Sequence, residues 1–270
     1  MSASDPARFI GDIPRDYDTG LGPVIFEDYA ADIARRAAIR APHEVLEIAA
    51  GTGIVTRKLR DALLPAARLT ATDLNAPMLE VAREKFRPGE GVSFEVADAI
   101  VLPFADQAFD AVVCQFGLMF FPDKDTALRE ARRVLKPHGR YLFSVWDAAR
   151  YNPFARIGLD VVERFFPDDP PKFLKTPFSC PDIDPIKESL IAAGFSHIVV
   201  SVLPRVHELA DPTAFAKGLV FGSPLIDQIR ARGDVAPETV VEAMAAQLTG
   251  EFGAPVKLPM QAILFEAVRM

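Results

Sequence analysis

The sequence predicts an open, doubly wound α/β sheet, and three observations carry that expectation. Five short apolar segments, "HEVLEIA" (43–49), "ARLTATDL" (67–74), "GVSFEVAD" (91–98), "FDAVVCQFG" (109–117) and "RYLFSVW" (140–146), alternate with stretches of helical periodicity. Such alternation builds a parallel sheet with right-handed crossovers. The first segment runs straight into a small-residue turn, "AAGTG" (49–53), at the mouth of a helix. Half of the 270 residues are hydrophobic, which gives the chain a sizeable core and argues against disorder.

Residues 1–22 are polar and rich in Gly, Pro and Asp, and predict an irregular arm. From Pro23, the residues Ile25, Phe26, Tyr29, Ala30 and Ile33 recur at helical spacing, so an amphipathic helix is expected as far as Ala41-Pro42. Helices are then expected at 54–64, 76–86 and 124–135, each following a strand, and "KPHG" (136–139) reads as a turn before the fifth strand. After Trp146 the rhythm breaks. Residues 150–185 are Pro-rich and predict one helix and a long loop. A helix at 186–195 and a strand at 196–206 follow. Two or three helices over 211–250 are broken near Gly222-Ser223-Pro224 and between Gly233 and Pro237, and "PVKLPMQAILFEAV" (255–268) closes the chain as a last strand.

Composition narrows the function classes. A net charge of −7 and a pI of about 5.2 disfavour a nucleic-acid partner, whose non-specific affinity comes from Lys and Arg. Cys114 and Cys180 are too few for a disulfide framework or a four-cysteine zinc site, and no His/Cys/Asp cluster has metal-ligand spacing, so no metal is expected. The N-terminus has no apolar signal core and no run of 18 apolar residues occurs, so the expectation is a cytoplasmic protein without a membrane span.

The turn narrows the ligand. A glycine turn after a strand lets a ligand approach the backbone, and the following helix N-terminus favours anions. The dinucleotide fingerprint Gly-x-Gly-x-x-Gly fails in both registers here, at Thr56 or at Ala49. Glu47 precedes the turn inside the strand. A carboxylate there repels a pyrophosphate and favours a cation, so the turn suits a positively charged cofactor without phosphate. Asp73 ends the second strand, where carboxylates accept ribose hydroxyls. Asp98-Ala99 ends the third, where a carboxylate can accept from an adenine amino group, and Gln115-Phe116 ends the fourth.

With these residues in order, the sequence resembles the class I S-adenosylmethionine-dependent methyltransferases, in particular the small-molecule branch of the ubiquinone/menaquinone-biosynthesis type. The motifs are "VLEIAAGTG" (45–53), "ATDLNAPML" (71–79), "VADAIVLPFADQAFDAVVCQFGLMFF" (96–121) and "RVLKPHGRYLFSVW" (133–146). Ala49 departs from the family, many of whose members carry glycine there. The resemblance implies a Rossmann-like, seven-stranded sheet, mostly parallel with the last strand antiparallel, and S-adenosyl-L-methionine as cofactor, released as S-adenosyl-L-homocysteine. It implies that Glu47 orders the turn and faces the cofactor's ammonium end. Ala49, Gly51, Thr52 and Gly53 approach the methionine portion and ribose, and Asp73 binds the ribose. Leu74 and Met78 pack on adenine, Asp98 and Ala99 meet its edge, and Gln115 and Phe116 line the sulfonium. Family members commonly fold the N-terminal segment over the cofactor, which makes Tyr17 a cofactor contact.

The expected organisation is a single domain: an N-terminal arm and helix (1–42), a cofactor-binding core (43–146), and the remainder of the sheet (147–270) with a substrate-cap insert at about 207–254. Methyl transfer is an in-line displacement that asks chiefly for alignment and exclusion of water, and no catalytic dyad stands out. The acceptor is expected to be small or medium-sized and partly apolar, with Phe26, Trp146, Tyr151 and His207 as candidate contacts and Phe154, Phe215, Leu219, Phe221, Leu225, Ile226 and Met244 as further apolar groups of the wall or cap. The competing readings are a non-catalytic cofactor- or partner-binding module on the same fold and an NAD(P)-dependent oxidoreductase. Oligomeric state is not legible.

Overall fold

The computed structural model describes residues 7–270. Seven strands form one sheet: β1 (Glu44–Ile48), β2 (Arg68–Asp73), β3 (Val92–Val96), β4 (Phe109–Gln115), β5 (Leu135–Trp146), β6 (Phe195–Leu209) and β7 (Val256–Arg269), in the order β3-β2-β1-β4-β5-β7-β6. β1 to β5 pair in parallel, and β7 is antiparallel to both β5 and β6. The expected doubly wound sheet with an antiparallel last strand is therefore the fold observed. Its centre is covered on both faces, which is why β1, β4 and β5 read as nearly unbroken apolar runs; Val45, Leu46, Val112, Val113, Leu142 and Phe143 are fully buried.

The helices are α1 (Ile13–Asp16), α2 (Glu27–Ala38), α3 (Ile54–Ala62), α4 (Ala76–Arg83), α5 (Lys124–Val134), α6 (Pro153–Phe165), α7 (Ile183–Ala192), α8 (Pro212–Phe221), α9 (Leu225–Arg232) and α10 (Pro237–Phe252). The breaks expected around Gly222 and Gly233 fall between α8, α9 and α10. Asp123 and Asp211 cap α5 and α8 by accepting backbone N–H groups of the first turn. α3 starts at Gly53, whose φ is +80° and where a Cβ would sit 2.8 Å from the Ala82 Cβ. Only glycine meets both demands, and the start of α3 thereby passes close to Ala82 of α4.

Two expectations need correction. The described part of the N-terminal arm is helical: α1 passes into a π-helical segment, Tyr17–Phe26, and then into α2. The Gly, Pro and Asp content reads as a loop, yet it serves packing. A Cβ on Gly20 would come within 2.6 Å of the Gly218 Cα on α8, so this segment lies backbone to backbone on the cap. Pro23 lacks an N–H, and the wider turn, with Glu27 N–H donating to the Gly22 carbonyl, tolerates it. The first six residues of the expected arm lie outside the described ones. The "KPHG" turn is instead an irregularity inside β5. Pairing with β4 jumps from Phe109↔Leu135 to Ala111↔Arg140, with His138 at φ +63°.

Candidate functional site

The strand order reverses between β1 and β4, and ligands of open α/β sheets bind outside the carboxyl ends of the strands at such a point. A cavity of about 630 Å³ lies there, within the range of ligand pockets. Its floor comes from the ends of β1 (Ile48, Ala49, Gly51), β2 (Asp73, Leu74), β4 (Gln115, Phe116) and β5 (Trp146), with Ala97–Ala99 after β3. Its roof comes from the N-terminal segment through Phe9, Tyr17 and Phe26, from Phe173 and Phe178 of the Pro-rich stretch, and from Leu219 of α8.

One end is polar. Asp73 is buried, and its carboxylate accepts the Gly51 N–H at 2.9 Å and the Asn75 N–H at 2.8 Å. The glycine turn is thus tied to the end of β2. Burial pushes the Asp73 carboxyl above its usual range, and the backbone donors pull it back. Oδ1 also accepts the Asn75 side-chain amide at 3.4 Å, so Oδ2 keeps the further lone pair for a ligand. Asn75 fastens the entering chain: its side chain donates to the Ala7 carbonyl and accepts the Phe9 N–H. Lys85 bridges Asp18 of the π-helical segment and the Thr52 carbonyl of the turn.

The other end is aromatic. Phe116 and Trp146 stack in parallel, 4.1 Å between centroids and 4° between planes. Phe26, Tyr29, Phe154 and Phe178 surround Trp146. Tyr17 stacks on Phe26 at 4.9 Å. Each such pair contributes about 0.5–1.5 kcal/mol beyond its buried area.

Among the described residues, Gln115 Oε1 on the cavity wall is buried without a hydrogen-bond partner, as are Glu47 Oε2, Thr52 Oγ1, Thr56 Oγ1 and Ser144 Oγ, whose residues do not line the cavity. Gln115 donates only to the Phe26 carbonyl, at 3.3 Å. Burial, reinforced by the Asp73 charge, pushes Glu47 up to about 8. Unpaired groups at this depth are costly unless a ligand answers them.

Of the residues singled out from sequence, Ala49, Gly51, Asp73, Leu74, Met78, Asp98, Ala99, Gln115, Phe116, Tyr17, Phe26 and Trp146 line this cavity. Glu47, near the end of β1, and Thr52 and Gly53, in the turn itself, do not. Tyr151 lies outside the wall, 43% exposed, with the Arg150 guanidinium 4.6 Å over its ring. His207 is also outside. β7 inserts between β5 and β6, so His207, paired with Leu258, is on the edge strand about 10 Å beyond β5. Among the apolar groups, Phe154 and Leu219 reach the cavity; Phe215, Leu225, Ile226 and Met244 are packed in the core, and Phe221 lines a different groove. Phe9, Asn75, Phe173, Phe178 and Lys124 were missed. Asn75 sits inside "ATDLNAPML" (71–79) beside Asp73, the other four lie outside the motifs, and only "FPDK" at the start of a helix hinted at Lys124. Among the described residues no group of three or more His, Cys, Asp or Glu side chains is gathered for a metal, and no helix is long and apolar enough to cross a membrane.

The fold is Rossmann-like, with a cavity across the β1/β4 switch point. A family model described as a methyltransferase domain matches residues 46–143. The ubiquinone/menaquinone biosynthesis C-methyltransferase UbiE of Hahella chejuensis is 43% identical over 129 residues, 47% of this chain and 51% of that protein. The protein of the same name from Pseudomonas paraeruginosa is 33% identical over 175 residues, 60% of this chain and 68% of that one. The chain thus spans about half the length of the first relative and two thirds of the second. A solved structure of Haemonchus contortus phosphoethanolamine N-methyltransferase 2 in complex with S-adenosyl-L-methionine superposes with a TM-score of 0.64 at 18% identity, covering 100% of this chain and 60% of that one, a likeness of fold. The chain belongs to the class I S-adenosylmethionine-dependent methyltransferase family.

Proposed function

We propose that this chain transfers the methyl group of S-adenosyl-L-methionine to a small or medium-sized, partly apolar acceptor, releasing S-adenosyl-L-homocysteine. The observation that carries the reading is one cavity with two unlike ends: a carboxylate tied to a glycine turn at one and stacked aromatic rings at the other, with the unpartnered Gln115 carbonyl oxygen on its wall. In this reading Asp73 accepts the ribose hydroxyls, Leu74 and Met78 pack on adenine, and Asp98 and Ala99 meet its edge. Ala49 and Gly51 let the methionine portion approach the backbone, with Thr52 and Gly53 shaping the turn. Glu47 and the Gln115 carbonyl oxygen answer the positive end of the cofactor. Tyr17 and the segment around it close over the bound molecule, and residues 207–254 contribute to the cap over the acceptor.

The bound cofactor supplies an activated leaving group. The chain's own work is to align the acceptor with Phe26, Phe116, Trp146 and Phe154 and to keep water out. The whole molecule acts as one unit, with the arm and cap serving the 43–146 core. Calorimetry with S-adenosylmethionine, S-adenosylhomocysteine and NADH tests the reading. Saturable binding of the first two is expected, weakened at least tenfold in Asp73→Asn, since a hydrogen bond to a charged group contributes about 1.5–3 kcal/mol. Binding of the dinucleotide alone would overturn it.

A further inference from the structure

We infer that the acceptor is a planar, conjugated compound already anionic at its nucleophilic oxygen near neutral pH, an acidic phenol or enol, held on the Phe116–Trp146 wall with Lys124 as its counter-charge. This rests on the methyl-transfer reading and names the acceptor class of the same cavity.

The titratable side chains that line the cavity are Tyr17, Asp73, Asp98 and Lys124. Both oxygens of Asp73 accept backbone N–H groups, and an Asp98 oxygen accepts the Ile100 N–H at 3.1 Å. These two carboxylates belong to the ends of β2 and β3. Three strand spacings, roughly 14 Å, separate the end of β2 from Trp146 at the end of β5. Tyr17 carries a phenol that burial pushes well above its usual range, so it does not serve as a base. Among the described residues, then, no side chain at the aromatic end takes a proton from an acceptor. The acceptor has to arrive without one to lose.

Lys124 supplies the complementary observation. It opens α5 directly after β4, lines the cavity, and is partly buried. Its ammonium donates to the Phe121 carbonyl at 3.3 Å and enters no ion pair among the described residues. A partly buried cation with no counter-ion among the described residues, in a cavity that also carries flat aromatic walls, fits an anion whose charge is spread over a ring. The chemistry agrees. A lone pair on the acceptor oxygen forms the new bond to the methyl carbon, the carbon–sulfur bond breaks, and its electron pair stays on sulfur. A sulfonium and an oxyanion become two neutral molecules, and no proton remains to be removed. A water-poor cavity favours such charge-neutralising transfer, because the separate ions lose the hydration that would stabilise them, whereas the charge is dispersed in the transition state and gone in the products.

The probe is 4-nitrophenol, titrated into the full chain saturated with S-adenosylhomocysteine, at the pH where half of the phenol is ionised in buffer. We expect saturable growth of the phenolate absorbance, with the bound form shifted about tenfold toward phenolate. Lys124→Met should abolish that shift and Lys124→Arg should keep it, both with unchanged S-adenosylmethionine affinity by calorimetry. Binding as the neutral phenol, or no saturable binding, would overturn the inference. So would a Lys124→Met variant that loses cofactor affinity instead, which would assign the ammonium to the cofactor's carboxylate. Failure of the parent protein to bind S-adenosylmethionine would overturn the methyl-transfer reading itself. Cofactor binding without phenolate capture would overturn only the acceptor class.

Discussion

Replacing Gly117 with alanine is the sharpest probe of how this site is built. Gly117 follows β4, is buried, and lines the cavity. Its φ of −97° suits any residue, so the backbone does not require glycine. Space does: a Cβ at this position would lie 2.6 Å from the Cys114 Sγ and 2.7 Å from the Ala49 Cβ. Both neighbours sit on strand ends in the packed core, so the insertion should cost about 1–3 kcal/mol. With roughly 2–4 °C of melting temperature per kcal/mol for a domain near this size, Gly117→Ala should melt roughly 2–12 °C lower. Ala49 is itself held at φ +55°. Ala49→Gly relieves a left-handed conformation that costs a side-chain-bearing residue roughly 1–2 kcal/mol, and returns about 0.4–1 kcal/mol to the unfolded chain's freedom. That single change should be neutral to mildly stabilising. In the double variant the 2.7 Å clash is gone and the sulfur contact remains, so a coupling of at least about 0.5 kcal/mol is expected. Urea titrations of the four proteins read it directly. A Gly117→Ala protein that melts within about 1 °C of the parent, or a cycle additive within about 0.3 kcal/mol, would refute the argument that Ala49 is tolerated at the first turn position because Gly117 faces it.

Two further outcomes follow from the cavity's surroundings. Burial raises Glu47 to about 8, so at pH 7 the folded, empty protein holds a proton that the unfolded chain, with a carboxyl near 4.5, has released. Stability then falls as pH rises from about 4.5 to 8, and the melting temperature of the parent relative to Glu47→Gln should decline across that window. A cationic cofactor end should draw the proton off, so the binding enthalpy at pH 7 should depend on the buffer's ionisation enthalpy in the parent and not in Glu47→Gln; equal enthalpies in two buffers would sink the assignment. Lys85→Met removes the bridge between Asp18 and the Thr52 carbonyl. Amide exchange over Tyr17–Phe26 should quicken about 5–30-fold, the equivalent of one to two kcal/mol, and unchanged exchange would show that the roof is held by its aromatic and Gly20–Gly218 packing alone.

The polar end of the site was legible in the sequence because its residues sit at strand ends in the order of the chain. Gly51, Asp73, Asp98 and Gln115 each close a periodic apolar segment, and parallel pairing brings those ends to one edge. The aromatic end was only half legible. Phe26, Phe154 and Trp146 were expected, but Phe173 and Phe178 come from a Pro-rich stretch without periodicity, and Tyr151 points away to solvent. The N-terminal arm was misread for a related reason: Gly20 and Gly22 look like loop residues until α8 is seen pressing on the first and Ile54 of α3 on the second.

By itself the sequence determined the sheet, its crossovers and the kind of turn that ends β1, because period and punctuation are local and a failed glycine fingerprint beside Glu47 is a local chemical statement. The tertiary structure alone decided what covers that turn. β7 slips between β5 and β6 and carries His207 out of reach, while residues from four distant segments fold their rings around Trp146. Those contacts join positions far apart in the chain, and no spacing along it encodes their meeting.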